Sequence, residues 1–122
     1  MNVTPRSAPV SGFLNINKEG GLTSTDVVRR VKRLTGQRKV GHGGTLDPDA
    51  TGVLPVCLGI ATRFVEAIIE GGKSYSMTVR LGTATDTYDA SGKAVRESDP
   101  SHISRADVEA VLRLSERLVV TG

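Results

Sequence analysis

Tryptophan is absent from this 122-residue sequence, and its aromatic complement stops at two Phe and two Tyr. That excludes a broad stacking platform of the kind that grips single-stranded nucleic acid; any base stacking rests on one well-placed ring. Cysteine is nearly absent as well. Cys57 alone cannot form an internal disulfide, which points to a reducing compartment, and it reads as a small buried hydrophobe. No run approaches the roughly 18 apolar residues of a membrane span. Residues 1–11 hold one basic residue and no long apolar stretch, so they do not read as a secretory signal. A soluble cytoplasmic protein is expected. Neither sign of charge dominates: 16 Lys and Arg against 13 Asp and Glu leave +3, which permits a polyanionic partner without requiring one.

The length is that of one small domain. Residues 1–11, rich in Pro, Ser and Thr, read as a disordered lead-in, and residues 12–122 as the domain. Residues 12–17 suggest a first strand with Leu14 and Ile16 on one face, followed by a Glu19-Gly20-Gly21 turn. Thr23 offers an N-cap and Asp26 a first-turn acid. Val27, Val28, Val31 and Leu34 recur at helical spacing until Gly36 supplies a stop. Residues 40–59 carry five glycines and two prolines among apolar residues, the pattern of a structured loop feeding a short strand. A second helix is expected over residues 61–69, with Phe64, Val65 and Ile68 inward and Gly71 at its end.

From residue 74 the period changes to two: Tyr75, Met77, Val79 and Leu81 alternate with Ser74, Ser76, Thr78 and Arg80. This is the clearest strand signal, and it places Tyr75 on a core face. Asp89-Ala90-Ser91-Gly92 has turn chemistry, with Gly92 able to take positive φ, so an antiparallel return over residues 93–96 follows. Ser104 opens a third helix with Asp107 three residues on, a staple between Ile103 and Val108, and Val111 and Leu112 inward. Strands and helices out of strict alternation predict an α+β domain whose mixed sheet is mainly antiparallel, with flanking helices.

The stretch with chemical content is Gly41-His42-Gly43-Gly44-Thr45-Leu46-Asp47-Pro48-Asp49-Ala50-Thr51-Gly52-Val53-Leu54-Pro55. Its glycines let backbone amides approach a ligand and leave room for a nucleotide. Pro48 biases Asp47 away from helical geometry, so its carboxylate is projected from a fixed loop. On spacing alone, a glycine-rich turn that merely ends a strand competes with this reading.

The pattern Gly-His-x-Gly-x-Leu-Asp-Pro-x-Ala-x-Gly-x-Leu over residues 41–54 resembles the active-site motif of the TruB family of tRNA pseudouridine synthases, which isomerise uridine 55 of the tRNA T-loop. The resemblance covers roughly residues 12–96 and includes Leu58-Gly59, Ala61-Thr62-Arg63, Lys73-x-Tyr75 and residues 81–92. It implies part of a pseudouridine synthase catalytic domain, tRNA as partner, a monomer when complete, and no cofactor or metal. It further implies Asp47 as nucleophile, His42 holding the T-loop once the target nucleotide is flipped out, and Tyr75 stacking on the flipped base. His42 otherwise reads as a turn residue satisfied by local backbone, and Asp49 as a solvated loop acid. Thr85-Asp86-Thr87-Tyr88-Asp89 matches a family stretch, but an Asx turn accounts for Asp89. Arg29, Arg30, Lys32 and Arg33 lie opposite the valine face and, with Arg38 and Lys39, are candidate tRNA phosphate contacts; a solvated helix face is the plainer account.

Two departures stand against the family pattern. Lys18 is followed by Glu19 where the family carries Lys-Pro, and a later Gly-Thr-Tyr-Ile-Arg-like segment, whose arginine pairs with the nucleophile, is not in the sequence. A partly buried carboxylate without that partner holds its proton more tightly, so the polypeptide alone is expected to have little or no activity, with a strand edge exposed. The alternative function is a noncatalytic RNA-binding or interaction fragment. Asp47-x-Asp49-x-Thr51 also superficially fits the nucleophile motif of haloacid-dehalogenase-like phosphotransferases, but that motif ends an apolar strand, whereas this one follows a glycine-rich run.

Overall fold

Apolar alternation after Ser11 builds strand β1 (Gly12–Lys18) in the computed structural model, which describes residues 8–115. These divide into two units, Met1–Ser74 and Tyr75–Gly122. In the first, β1 is followed by helix α1 (Ser24–Thr35), β2 (Val40–His42), β3 (Gly52–Leu58), a short 3-10 helix (Gly59–Phe64) and α2 (Val65–Glu70). The three strands form an antiparallel sheet in the order β1-β3-β2.

The register sorts the side chains. Leu14 faces Val56, Ile16 faces Leu54, Lys18 faces Gly52, and on the other edge Val40 faces Leu58. Directly opposed residues share a sheet face, and on this face lies the core of Val27, Val31, Leu54, Val56 and Leu58, with Ile16, Val40 and Leu46 packed against it. Each fully buried Leu or Val there contributes about 1.5–3 kcal/mol. On the opposite face Phe13 meets Phe64 edge-on at 6.1 Å. Pro55 sits within the central strand at no cost to the ladder with β1. Its carbonyl accepts from Gly43 N at 2.8 Å, so its nitrogen also faces the β2 side, beyond the end of that strand.

The helix starts and stops as its sequence signals predict. Thr23 and Asp26 form a reciprocal capping box, and Gly36 ends the helix in the left-handed conformation. Val27, Val28 and Val31 are buried, but Leu34, expected inward, is 80% exposed. It lies at the lip of a groove between α1 and β1 lined also by Ile16, Leu22, Val27 and Val31. β1 is an edge strand, so among the described residues no further strand of this unit lies beyond it to cover that flank. The second helix is shorter than its spacing suggested: residues 59–64 take the tighter 3-10 form and Phe64 is exposed, while Val65 and Ile68 are half-buried. Of the expected lead-in, residues 1–7 lie outside the described residues. Ala8 and Val10 are held by Gln37, and Ser11 Oγ accepts from Ile60 N at 3.0 Å.

In the second unit β4 (Thr83–Thr85) pairs antiparallel with β5 (Ala94–Glu97), and α3 (Arg105–Ser115) follows. The predicted return strand exists, but its partner is β4. Residues 74–81 form no strand, and Tyr75, Met77 and Val79 are 63%, 77% and 67% exposed. Alternation fixes which face a strand would bury; forming the ladder takes a neighbour, and among the described residues none pairs with this segment. The core position expected for Tyr75 is therefore corrected to an exposed one. Asp89 does form the Asx turn: its Oδ1 accepts from Ser91 N at 2.8 Å and from Thr87 Oγ1 at 2.7 Å. The left-handed residues here are Gly82 and Tyr88 rather than Gly92. Ser104 and Asp107 cap α3 reciprocally, but Val111 and Leu112, expected inward, are exposed. The α+β class stands. Every strand pairing among the described residues is antiparallel, so the parallel component of a mixed sheet is not among them.

Candidate active site

β2 closes at His42 and β3 opens at Gly52, leaving residues 43–51 as a loop between two paired strands. Asp47 lies five residues past the end of β2 and does not terminate a strand, which removes the structural basis for the phosphotransferase reading. Its carboxylate is exposed, not partly buried as expected. The backbone on either side is tightly held. Leu46 packs its side chain against the core, its N–H donates to Ser24 Oγ at 3.0 Å, and its carbonyl accepts from the same hydroxyl at 3.2 Å. On the other side the Pro48 carbonyl accepts from Gly21 N at 2.8 Å and from Lys18 Nζ at 3.0 Å. Ala50 N closes a turn onto the Asp47 carbonyl at 3.0 Å. Leu46 thus points in and Asp47 out, between two anchored neighbours.

Lys18 and Ser24 were not singled out from the sequence as site residues. Lys18 is 1% exposed because strand alternation places it on the same face as Ile16, and its ammonium donates to the carbonyls of Glu19, Leu22 and Pro48 at 2.9, 2.7 and 3.0 Å. Three carbonyls match its three donors. The signal was available: a Lys continuing the inward register of Leu14 and Ile16 needs buried acceptors.

His42 is half-buried, and its register opposite Val56 turns it toward the face that α1 covers. Its Nδ1 lies 2.5 Å from the Gly44 carbonyl. A carbonyl can only accept, so Nδ1 carries the proton and a neutral ring presents Nε2 as an acceptor. The local-backbone contact expected for a plain turn residue is therefore present, and it leaves one nitrogen available to a ligand. Gly43 leaves no room for a side chain, since a Cβ there would stand 2.6 Å from Ile68 Cγ2.

Arg29, Arg30, Lys32, Arg33, Arg38 and Lys39 are all exposed. Arg29 pairs with Asp26 at 3.0 Å, a surface contact of little energetic weight; among the described residues it is the only one of the six in an ion pair. Asp49 is exposed as expected, and burial pushes the Cys57 thiol up, in keeping with an inert buried residue. Tyr75 opens the second unit.

Residues 32–116 match the model of the TruB family pseudouridylate synthase N-terminal domain, and the chain belongs to that family. Its curated relatives include tRNA pseudouridine synthase B of Clostridium perfringens, 50% identical over 81% of this chain, and that of Gluconacetobacter diazotrophicus, 56% identical over 77%. The chain spans about a third of the length of these relatives, 34% and 31%. Among solved structures, an H/ACA RNP bound to a substrate RNA containing 2'-deoxyuridine matches 46% of this chain and 18% of that chain at 52% identity, with a TM-score of 0.45. No helix among the described residues is long and apolar enough to cross a membrane.

Proposed function

We propose that this chain carries the nucleophile-bearing part of a tRNA pseudouridine synthase that converts uridine 55 of the T-loop to pseudouridine through Asp47. The observation that carries the reading is the exposed Asp47 carboxylate held between two anchored neighbours in a glycine-rich loop. Isomerisation breaks the bond from ribose C1' to uracil N1, turns the base and joins C1' to C5. The C5 proton departs and N1 gains one, so no other atoms are exchanged. The Asp47 carboxylate adds covalently at ribose C1' or at base C6, and both routes need it projected and reachable. The target base must first leave its stack. The half-buried His42 ring fills the gap, Nε2 accepting a hydrogen bond from the T-loop, and Tyr75 supplies the one stacking ring. The six exposed cations contact phosphates. The reaction takes place in the cytoplasm, where tRNA is found, and the complete protein acts as a monomer.

The chain spans about a third of the length of its relatives, and on this reading the 122-residue polypeptide by itself turns over slowly or not at all. The decisive assay therefore places this chain in the corresponding third of the Clostridium perfringens relative and measures tritium release from tRNA labelled at uridine C5. The chimera releases tritium and its Asp47→Asn variant does not; equal release by both overturns the assignment. A second reading, a noncatalytic RNA-binding fragment, is favoured by the exposed cations. It predicts that the polypeptide retains tRNA while the chimera makes no product.

A further inference from the structure

We propose that Ser24 is a positioning residue for Asp47, coupling helix α1 to the nucleophile loop; its relevance to catalysis rests on the function proposed above. Ser24 is the first residue of α1 and is 3% exposed, so it touches no RNA. Its hydroxyl is not needed as the helix cap, because Thr23 and Asp26 perform that task. Instead it bonds both backbone groups of one residue, donating to the Leu46 carbonyl and accepting from the Leu46 N–H across 22 positions of sequence. One hydroxyl can do both, having one donor and two lone pairs. With its side chain packed against the core and both polar groups bonded to Ser24, Leu46 holds the backbone that leads into Asp47.

The arrangement also joins two functions. The helix that begins at Ser24 carries Arg29, Arg30, Lys32 and Arg33 on its exposed face. Val27 and Val31 of the same helix pack in the cluster that receives Leu46. The phosphate-facing helix and the carboxylate therefore share a rigid connection one hydroxyl long.

Amide exchange of the full chain, followed residue by residue without RNA, tests this. In the wild type the Leu46 N–H is protected. In Ser24→Ala and in the near-isosteric Ser24→Cys it exchanges about ten- to a hundredfold faster, while Val56 and Cys57 in β3 stay within about twofold. Three results overturn the proposal: no protection of Leu46 in the wild type, no change at Leu46 in either variant, or equal acceleration throughout β3, which would make Ser24 a general support of the fold. Since no RNA is present, these outcomes are separate from the tritium assay, whose failure removes the functional reading alone.

Discussion

Replacing Lys18 by Met keeps the volume and apolar stem of the side chain and removes three donors from a site that is 1% exposed. The bonds to Glu19, Leu22 and Pro48 measure 2.7–3.0 Å. Hydrogen bonds involving a charged group contribute about 1.5–3 kcal/mol each, so three sum to roughly 5–9 kcal/mol. Against this stands the several kcal/mol needed to take an ammonium out of water, which Met does not incur. The net loss is about 2–4 kcal/mol, a large share of the roughly 5–15 kcal/mol that holds a typical domain together. For a domain of 60–100 residues each kcal/mol is about 4–8 °C, so the unfolding temperature of the first unit should fall by roughly 8–32 °C. Urea unfolding followed by circular dichroism measures the same loss as a shift in midpoint at constant slope. A change below about 0.5 kcal/mol would refute the reasoning, for then desolvation cancels the three bonds.

Gly43→Ala should cost about 1–3 kcal/mol, because the new methyl meets Ile68 Cγ2 at 2.6 Å and Ile68 Cβ at 3.1 Å. Adding Ile68→Ala should cost less than the sum of the two single changes, and strict additivity would contradict the clash. Converting Arg30, Lys32 and Arg33 to Ala should lower the salt slope of tRNA binding by about 0.7–0.9 for each phosphate no longer neutralised; an unchanged slope assigns those residues to solvent. Hydrogen bonds from Thr23, Ser91, Ser101 and Ser104 hold Asp26, Asp89, Asp99 and Asp107 below the ordinary 3.8. Their contribution to stability is complete above that value and is lost as pH falls through the depressed folded values. Unfolding midpoints should therefore be flat from pH 7 to about 5 and drop below about 4, and Asp26→Asn should flatten the fall. A midpoint that declines between pH 7 and 5 contradicts this.

Local signals carried much of the first unit. The capping box at Thr23, the stop at Gly36 and the valine spacing each act within a few residues, and each matched the structure. The Asp47 loop was legible as punctuation, but what fixes it was not. Ser24 and Leu46 are 22 positions apart, and Lys18 and Pro48 are 30 apart; such pairings emerge only from strand register. Residues 74–81 erred in the opposite direction, because alternation there reports a face without supplying a partner strand. Leu34, Val111 and Leu112 were placed inward by helical spacing, which gives the apolar side of a helix but not whether anything covers it.

The bonds that frame the Asp47 loop all fall between residues 18 and 55: Lys18 and Gly21 to Pro48, Ser24 to Leu46, His42 to Gly44, Ala50 to Asp47, and Gly43 to Pro55. On a ribosome the chain emerges from its amino end, so every partner in that frame is out of the exit tunnel before Tyr75 is. A nascent polypeptide can therefore assemble the cradle of Asp47 while the remainder is still being translated.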